Sequence, residues 1–302
     1  MGASAVRVAG GLLAALLALS GCTPADPAEP STSPSAERST SPDDLDPTVG
    51  SASGGSSGAD PAEPTAAVIP LSVALDHVHG LHVRPDGVLV AGTHTGAVEV
   101  SPDGEVSLLA GDRHDLMGMT GIAGTETLIS SGHPAVGSEL PNPLGLIVST
   151  DGGDTWTARS LTGAVDFHAL AGDGHTVVGF DGHEGLLVSG DDGGSFERGA
   201  AIAPAALAIT AEGIWATTAD GLQRSTDRGR TFAPVVDAPL LVLIAAGVDG
   251  SLWGVDVNGT AWRSGDGAAW ERRSDVGPVQ ALAVAADGSA YAIGATTLVA
   301  LS

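Results

Sequence analysis

"STDGGDTW", residues 149–156, returns as "SGDDGGSF" at 189–196 and as "STDRGRTF" at 225–232, with a shortened copy, "SGDGAAW", at 264–270. The copies begin 40, 36 and 39 residues apart. A repeat of that length is one supersecondary unit, which must stack on its neighbours to bury its apolar face. The shared pattern is S-x-D-x-G-x-[ST]-[WF], and its chemistry is that of a tight turn. Ser149, Ser189 and Ser225 open it. Asp151, Asp191 and Asp227 can accept bonds from backbone N–H groups, and Gly153, Gly193 and Gly229 supply dihedrals that a side chain would resist. Trp156, Phe196 and Phe232 then anchor the strand that follows; in the short copy Asp266 and Trp270 take these parts.

Three full copies at this spacing resemble the BNR or Asp-box motif of sialidase-like propellers. That resemblance implies a support role for the motif rather than a catalytic one. The stretches between the copies agree with it. "LAITAEGIWATTADGLQRSTDRGRTFAPV", residues 207–235, parses as inner strand, turn, second strand, turn, third strand, Asp-box turn and outer strand. This predicts an all-β fold of four-stranded antiparallel blades. The cuts fall near 77–112, 115–163, 166–202, 205–238, 241–276 and 279–302. The last run yields three strands only. "AVIPLSVAL" at 67–75 is a spare strand, and placed on the last blade it closes the ring and removes both open edges. Six blades is the expectation, with seven as the alternative.

What precedes residue 67 is of another kind. "AGGLLAALLAL" at 9–19 is too short an apolar run to span a membrane as a mature helix, and it leads into "LSGC" at 19–22. That ending resembles a bacterial lipobox, which implies a signal peptide over 1–22, lipidation of Cys22, and a protein anchored outside the cytoplasm. Cys22 is the only cysteine, so no disulfide is expected. Residues 23–66 are Pro, Ser, Thr, Gly, Ala and acid, the composition of a disordered linker. At about 5–6 Å times the square root of its length it reaches about 35–40 Å. The domain proper is 67–302.

The formal charge is −24, and all twelve basic residues are Arg. An acidic surface disfavours nucleic acid and anionic lipid, which leaves the lipid anchor as the membrane contact. With no lysine there is no Schiff-base chemistry. The expected state is a monomer that meets a small ligand, a glycan or an exported protein.

Nine histidines lie between His77 and His183, and none follows. In an antiparallel blade the loop leading into the inner strand and the loop joining the second and third strands share one face; the Asp-box turn lies on the other. "HVHGLH" at 77–82 leads into the first inner strand, and His94 lies in the matching loop of that blade. Blade two supplies Asp115, Met117 and His133, and blade three supplies Asp166, His168, Asp181 and His183. Blades four to six put "APAA", "PLLV" and "GPVQ" at the leading loops. The polar groups thus occupy half of one face. His82 falls in mid-strand, His175 on the opposite face, and His114 beside the pattern. A long insertion, "SGHPAVGSELPNPLGL" at 131–146, overhangs the same half-face, and its prolines favour a semi-rigid loop.

Taken in order, "HVHGL", "DLMGMT", "SGHP", "NPLGLIVSTDGGDTW" and "DFH" resemble a family of secreted bacterial propellers catalogued among the glycosyl hydrolases. The resemblance covers about 75–200. The residues point away from sialidase chemistry, because the only tyrosine, Tyr291, sits in a strand of the last blade and the arginines mostly flank the Asp-boxes. Another glycosidase needs two carboxyls about 5–10 Å apart, one kept protonated, for which Asp115, Asp166 and Asp181 are candidates. A binding module is the principal expectation. His77, His79, His94, His133, His168 and His183, with Met117, are the candidate metal or ligand residues, and His79, His94, His133 and His168 are expected to converge. Imidazole suits zinc or copper, and a thioether favours copper.

Overall fold

The computed structural model describes residues 66–109, 111 and 113–302. The signal peptide expected over 1–22 with Cys22, and the linker expected over 23–66, apart from its last residue, lie outside the described residues. Among the described residues there are 24 strands and no helix, in six four-stranded antiparallel sheets: a six-bladed β-propeller. The seven-bladed alternative is set aside.

The ring opens with β1 (Ala67–Pro70). Blade one is β2 (Val78–Val83), β3 (Leu89–Thr93), β4 (Gly96–Val100) and β5 (Val106–Leu108). Blade two is β6 (Asp115–Gly121), β7 (Leu128–His133), β8 (Leu146–Ser149) and β9 (Thr157–Ser160). Blade three follows as β10 (Ala169–Gly172), β11 (Val177–Phe180), β12 (Leu187–Ser189) and β13 (Glu197–Arg198). Blade four is β14 (Ala206–Thr210), β15 (Gly213–Thr218), β16 (Gly221–Ser225) and β17 (Ala233–Pro234). Blade five is β18 (Leu241–Ala246), β19 (Leu252–Asp256), β20 (Thr260–Ser264) and β21 (Glu271–Asp275). Blade six holds β22 (Ala281–Val284), β23 (Ala290–Ile293) and β24 (Thr297–Leu301), and β1 pairs antiparallel with β24 as its outer strand. The closing strand is shorter than the apolar run predicts: only Ala67–Pro70 pair.

The core is a ring of six apolar clusters, each wedged between two adjacent blades. Val90 of blade one meets Leu116 and Ile147 of blade two, and so on around to Ile293 and Leu298 of blade six against Leu81 and Leu89 of blade one. Each aromatic residue of the repeated turn fills such a seam. Trp156, Phe196, Phe232 and Trp270 pack against the seam between their own blade and the one before.

The repeated turns share one hydrogen-bond scheme. Ser189 Oγ donates to Asp191 Oδ1 (2.6 Å) and accepts from Gly193 N–H (2.9 Å); Asp191 accepts from the N–H and hydroxyl of Ser195 (2.9 and 2.7 Å). Ser149 and Asp151, and Ser225 and Asp227, repeat it. These bonds hold the carboxyls of Asp151, Asp191 and Asp227 below the usual range, with side-chain bonds the largest cause. Two successive residues of the second and third turns have positive φ, Asp192 with Gly193 and Arg228 with Gly229. The serine and the glycine of each turn are buried, while the aspartate is not. Ser189→Ala leaves the Gly193 N–H sealed without an acceptor, and a denaturant melt is expected to show a loss of about 1–3 kcal/mol. An unchanged melt would mean that the turn does not depend on this bond.

Candidate functional site

The inner strands of all six blades surround a central channel of about 660 Å³. Gly80, Ala169, Ala206 and Ala281 are among the inner-strand residues that line it, and His77, His79 and His168 line one mouth. The local cause lies in the strand register. β2 and β6 each carry a bulge where they enter the ring: Val78 pairs with Thr93 and Gly80 with Gly92, which leaves His79 as the extra residue. Met117 is its counterpart in β6 and Val242 in β18. A bulge breaks the two-residue alternation and re-aims a side chain. His168 precedes β10, with its N–H on the Phe180 carbonyl (2.9 Å).

The four histidines expected to converge fall into two groups instead. His77, His79 and His94 form the first, with one ligand nitrogen from each lying within 4.8 Å of the others. Their rings are 4.5, 5.7 and 4.6 Å apart between centroids. The Nε2 atoms of His79 and His94 are 3.3 Å apart, while His94 Nδ1 lies 2.8 Å from Asp115 Oδ1. An ionised carboxylate only accepts, so His94 carries its proton on Nδ1 and turns the Nε2 lone pair toward His79. A carboxylate in that position fixes the tautomer of a ligating imidazole. Two nitrogens on a tetrahedral ion at about 2.0–2.1 Å are themselves about 3.3–3.4 Å apart. The donor set and its spacing fit zinc or copper.

The second group is His133, Asp166 and His168. The two Nε2 atoms lie 3.3 and 3.5 Å from the same carboxylate oxygen, Oδ2. Asp166 Oδ1 is buried and has no partner. Burial raises the Asp166 carboxyl above its usual range, against the pull of His168 and His133. Phe167, between the two site residues, is wholly buried, and its N–H donates to Ser131 Oγ (2.9 Å).

The remaining candidates sit apart from these groups. His183 bonds back to its own loop through Asp181, whose Oδ1 accepts the His183 N–H at 3.0 Å. Met117 is half-buried at its bulge. His114 is buried and accepts the Ala135 N–H (3.1 Å), so it holds the insertion in place. His82 is buried within β2, 2.8 Å from the Thr125 carbonyl. Sequence reasoning missed Asn142 of the insertion, whose Oδ1 lies 2.7 Å from His133 Nδ1. It also missed Gln280, which accepts the Val78 N–H (3.0 Å) and ties blade six to the first leading loop. Asn142 follows His133 by nine residues and Gln280 follows Val78 by 202, so neither contact leaves a local pattern in the sequence.

Two imidazoles are held neutral by the fold. His79 is pushed down to about 4, chiefly by burial and then by His77 and His94, with Asp115 opposing. His82 is also lowered, chiefly by burial, with the bond to Thr125 opposing. Below the unfolded value of about 6.5 the unfolded chain binds protons that the folded imidazoles refuse, so stability falls with pH from there toward about 4 for His79. The melting temperature of metal-free protein is expected to drop from pH 7 to pH 5, with a shallower slope in His79→Gln. Parallel slopes would contradict this.

Blade, closure and mouth together define a six-bladed β-propeller with histidines around one end of its channel. No family model matches the chain, and no curated protein matches it. Solved structures resemble it in fold. A gluconolactonase from Xanthomonas campestris, XC5397, superposes with a TM-score of 0.59 at 14% identity, over 81% of this chain and 96% of that one. A streptogramin B lyase gives 0.52 at 13% identity, over 80% and 98%. YCF48 bound to D1 peptide gives 0.51 at 13% identity, over 80% and 99%. At these identities the likeness is one of fold.

Proposed function

We propose that the chain is a lipid-anchored, extracytoplasmic propeller of the Asp-box, sialidase-like type whose function is binding, through a transition metal held by His77, His79 and His94. The observation that carries this reading is the pair of Nε2 atoms 3.3 Å apart with the His94 tautomer set by Asp115. Three imidazoles leave a coordination position for a ligand at the channel mouth. A propeller solved with a bound peptide has the same fold, which agrees with a binding role. Elemental analysis of purified protein tests the reading: stoichiometric zinc or copper supports it, and its absence after loading rejects it.

The anchor rests on "LSGC" and Cys22. Cys22→Ser is expected to move the protein from the membrane fraction to the soluble one with its melting temperature unchanged, because the thiol lies far from the folded domain in the chain. Retention on the membrane would overturn the lipobox reading.

A second reading is a non-sialidase glycoside hydrolase. The raised carboxyl of Asp166 favours it, since an acid kept protonated is what that chemistry needs. Against it, Asp115 is engaged by His94 and Asp181 by its own loop. Turnover of chromogenic glycosides, lost in Asp166→Asn, would favour the hydrolase.

A further inference from the structure

We propose that His133, His168 and Asp166 hold a second divalent transition-metal ion, distinct from the one at His77, His79 and His94. His133 Nδ1 lies 2.7 Å from the Asn142 side-chain oxygen, which accepts, so the ring proton is on Nδ1. Its Nε2 then presents a lone pair to Asp166 Oδ2 at 3.3 Å. Two acceptors held face to face repel each other unless a proton or a metal ion lies between them, and the two imidazoles around one carboxylate offer the place for the ion. His168 brings a second Nε2 to within 3.5 Å of the same oxygen. The other carboxylate oxygen, Oδ1, is sealed from solvent with no partner of its own. A carboxylate so placed is costly to keep charged without a compensating cation.

Two imidazoles and one carboxylate are a set that binds zinc and ferrous iron. Donors on an octahedral or tetrahedral ion with bonds of about 2.0–2.1 Å are about 3.0–3.4 Å apart. The separations of 3.3 and 3.5 Å from Asp166 are near that range, while the two imidazole nitrogens stand more than 4.8 Å apart and must draw together on the ion. His133 and His168 are exposed enough, at 42% and 51%, for side-chain rotation to close the set. Asn142 stands to His133 as Asp115 stands to His94: each fixes Nδ1 and frees Nε2. The blade-two insertion thus has a task, which is to orient a ligand from the neighbouring strand.

The two sites share no ligand, so they can be told apart. The untagged full-length chain, stripped with chelator, is titrated with zinc alone, and bound zinc is counted after dialysis. Two ions per chain are expected. His133→Ala and Asp166→Asn should each leave one, as should His79→Ala for the other site. Asn142→Ala should weaken the second site about 10–100-fold, the usual effect of losing an outer partner. Thermal melts establish that each variant is folded. One ion that is lost in His79→Ala and kept in His133→Ala overturns this proposal and leaves the first site standing. One ion with the reverse dependence supports it and overturns the first site. No bound zinc rejects both.

Discussion

His94→Ala is expected to bind zinc at least 100-fold more weakly than the parent chain, measured by competition with a chromophoric chelator. His94 supplies one of the three nitrogens and also passes on the orientation set by Asp115. Asp115→Asn, which keeps the imidazole and removes only its partner, should cost about 10–100-fold. Loss of the ligand itself must exceed that. His175→Ala is the matched control. His175 belongs to the turn region on the other side of the ring, where its carbonyl accepts the Asp192 N–H (2.8 Å). Equal losses in His94→Ala and His175→Ala would show that the zinc is held by scattered surface histidine.

The largest expected effect on stability is at Phe167. The side chain is wholly buried between blades two and three, its ring 5.6 Å from that of Phe196 and pressed against Gly179, where a Cβ would lie 2.5 Å from it. Phe167→Ala leaves a cavity the surrounding strands can only partly fill, and the cost is about 3–5 kcal/mol. It should also loosen Asp166 and His168 on either side of it, because the buried ring is what fixes the intervening backbone. A chemical denaturation midpoint unchanged from the parent would mean that this seam is not part of the cooperative core.

The blades are readable in the sequence because the signals that define them are local. The serine, aspartate, glycine and aromatic residue of each turn lie within eight positions, and Gly/Asp turns punctuate the strands between. Even the closing strand is visible, as an apolar run left over at one end beside a blade one strand short. The site is readable only in part. Strand alternation places His79, His94, His133 and His168 on one face, but whether they meet depends on side-chain direction. A bulge at His79 breaks the alternation, so no count along the strand tells where that ring points. Asp166 lies between His133 and His168 and gathers them into a group of their own. His77, beside the bulge, joins His79 and His94 instead. Asn142 reaches the site through the fold of the insertion, a relation that carries no local pattern.

The central claim is that three imidazoles converge on one ion at the mouth of the channel. X-ray diffraction from zinc-loaded crystals, recorded on both sides of the zinc absorption edge, tests it directly. The account predicts an anomalous peak about 2.0–2.1 Å from Nε2 of His79 and of His94, with His77 completing the set. A zinc-loaded crystal with no anomalous peak within bonding distance of these three residues would contradict it.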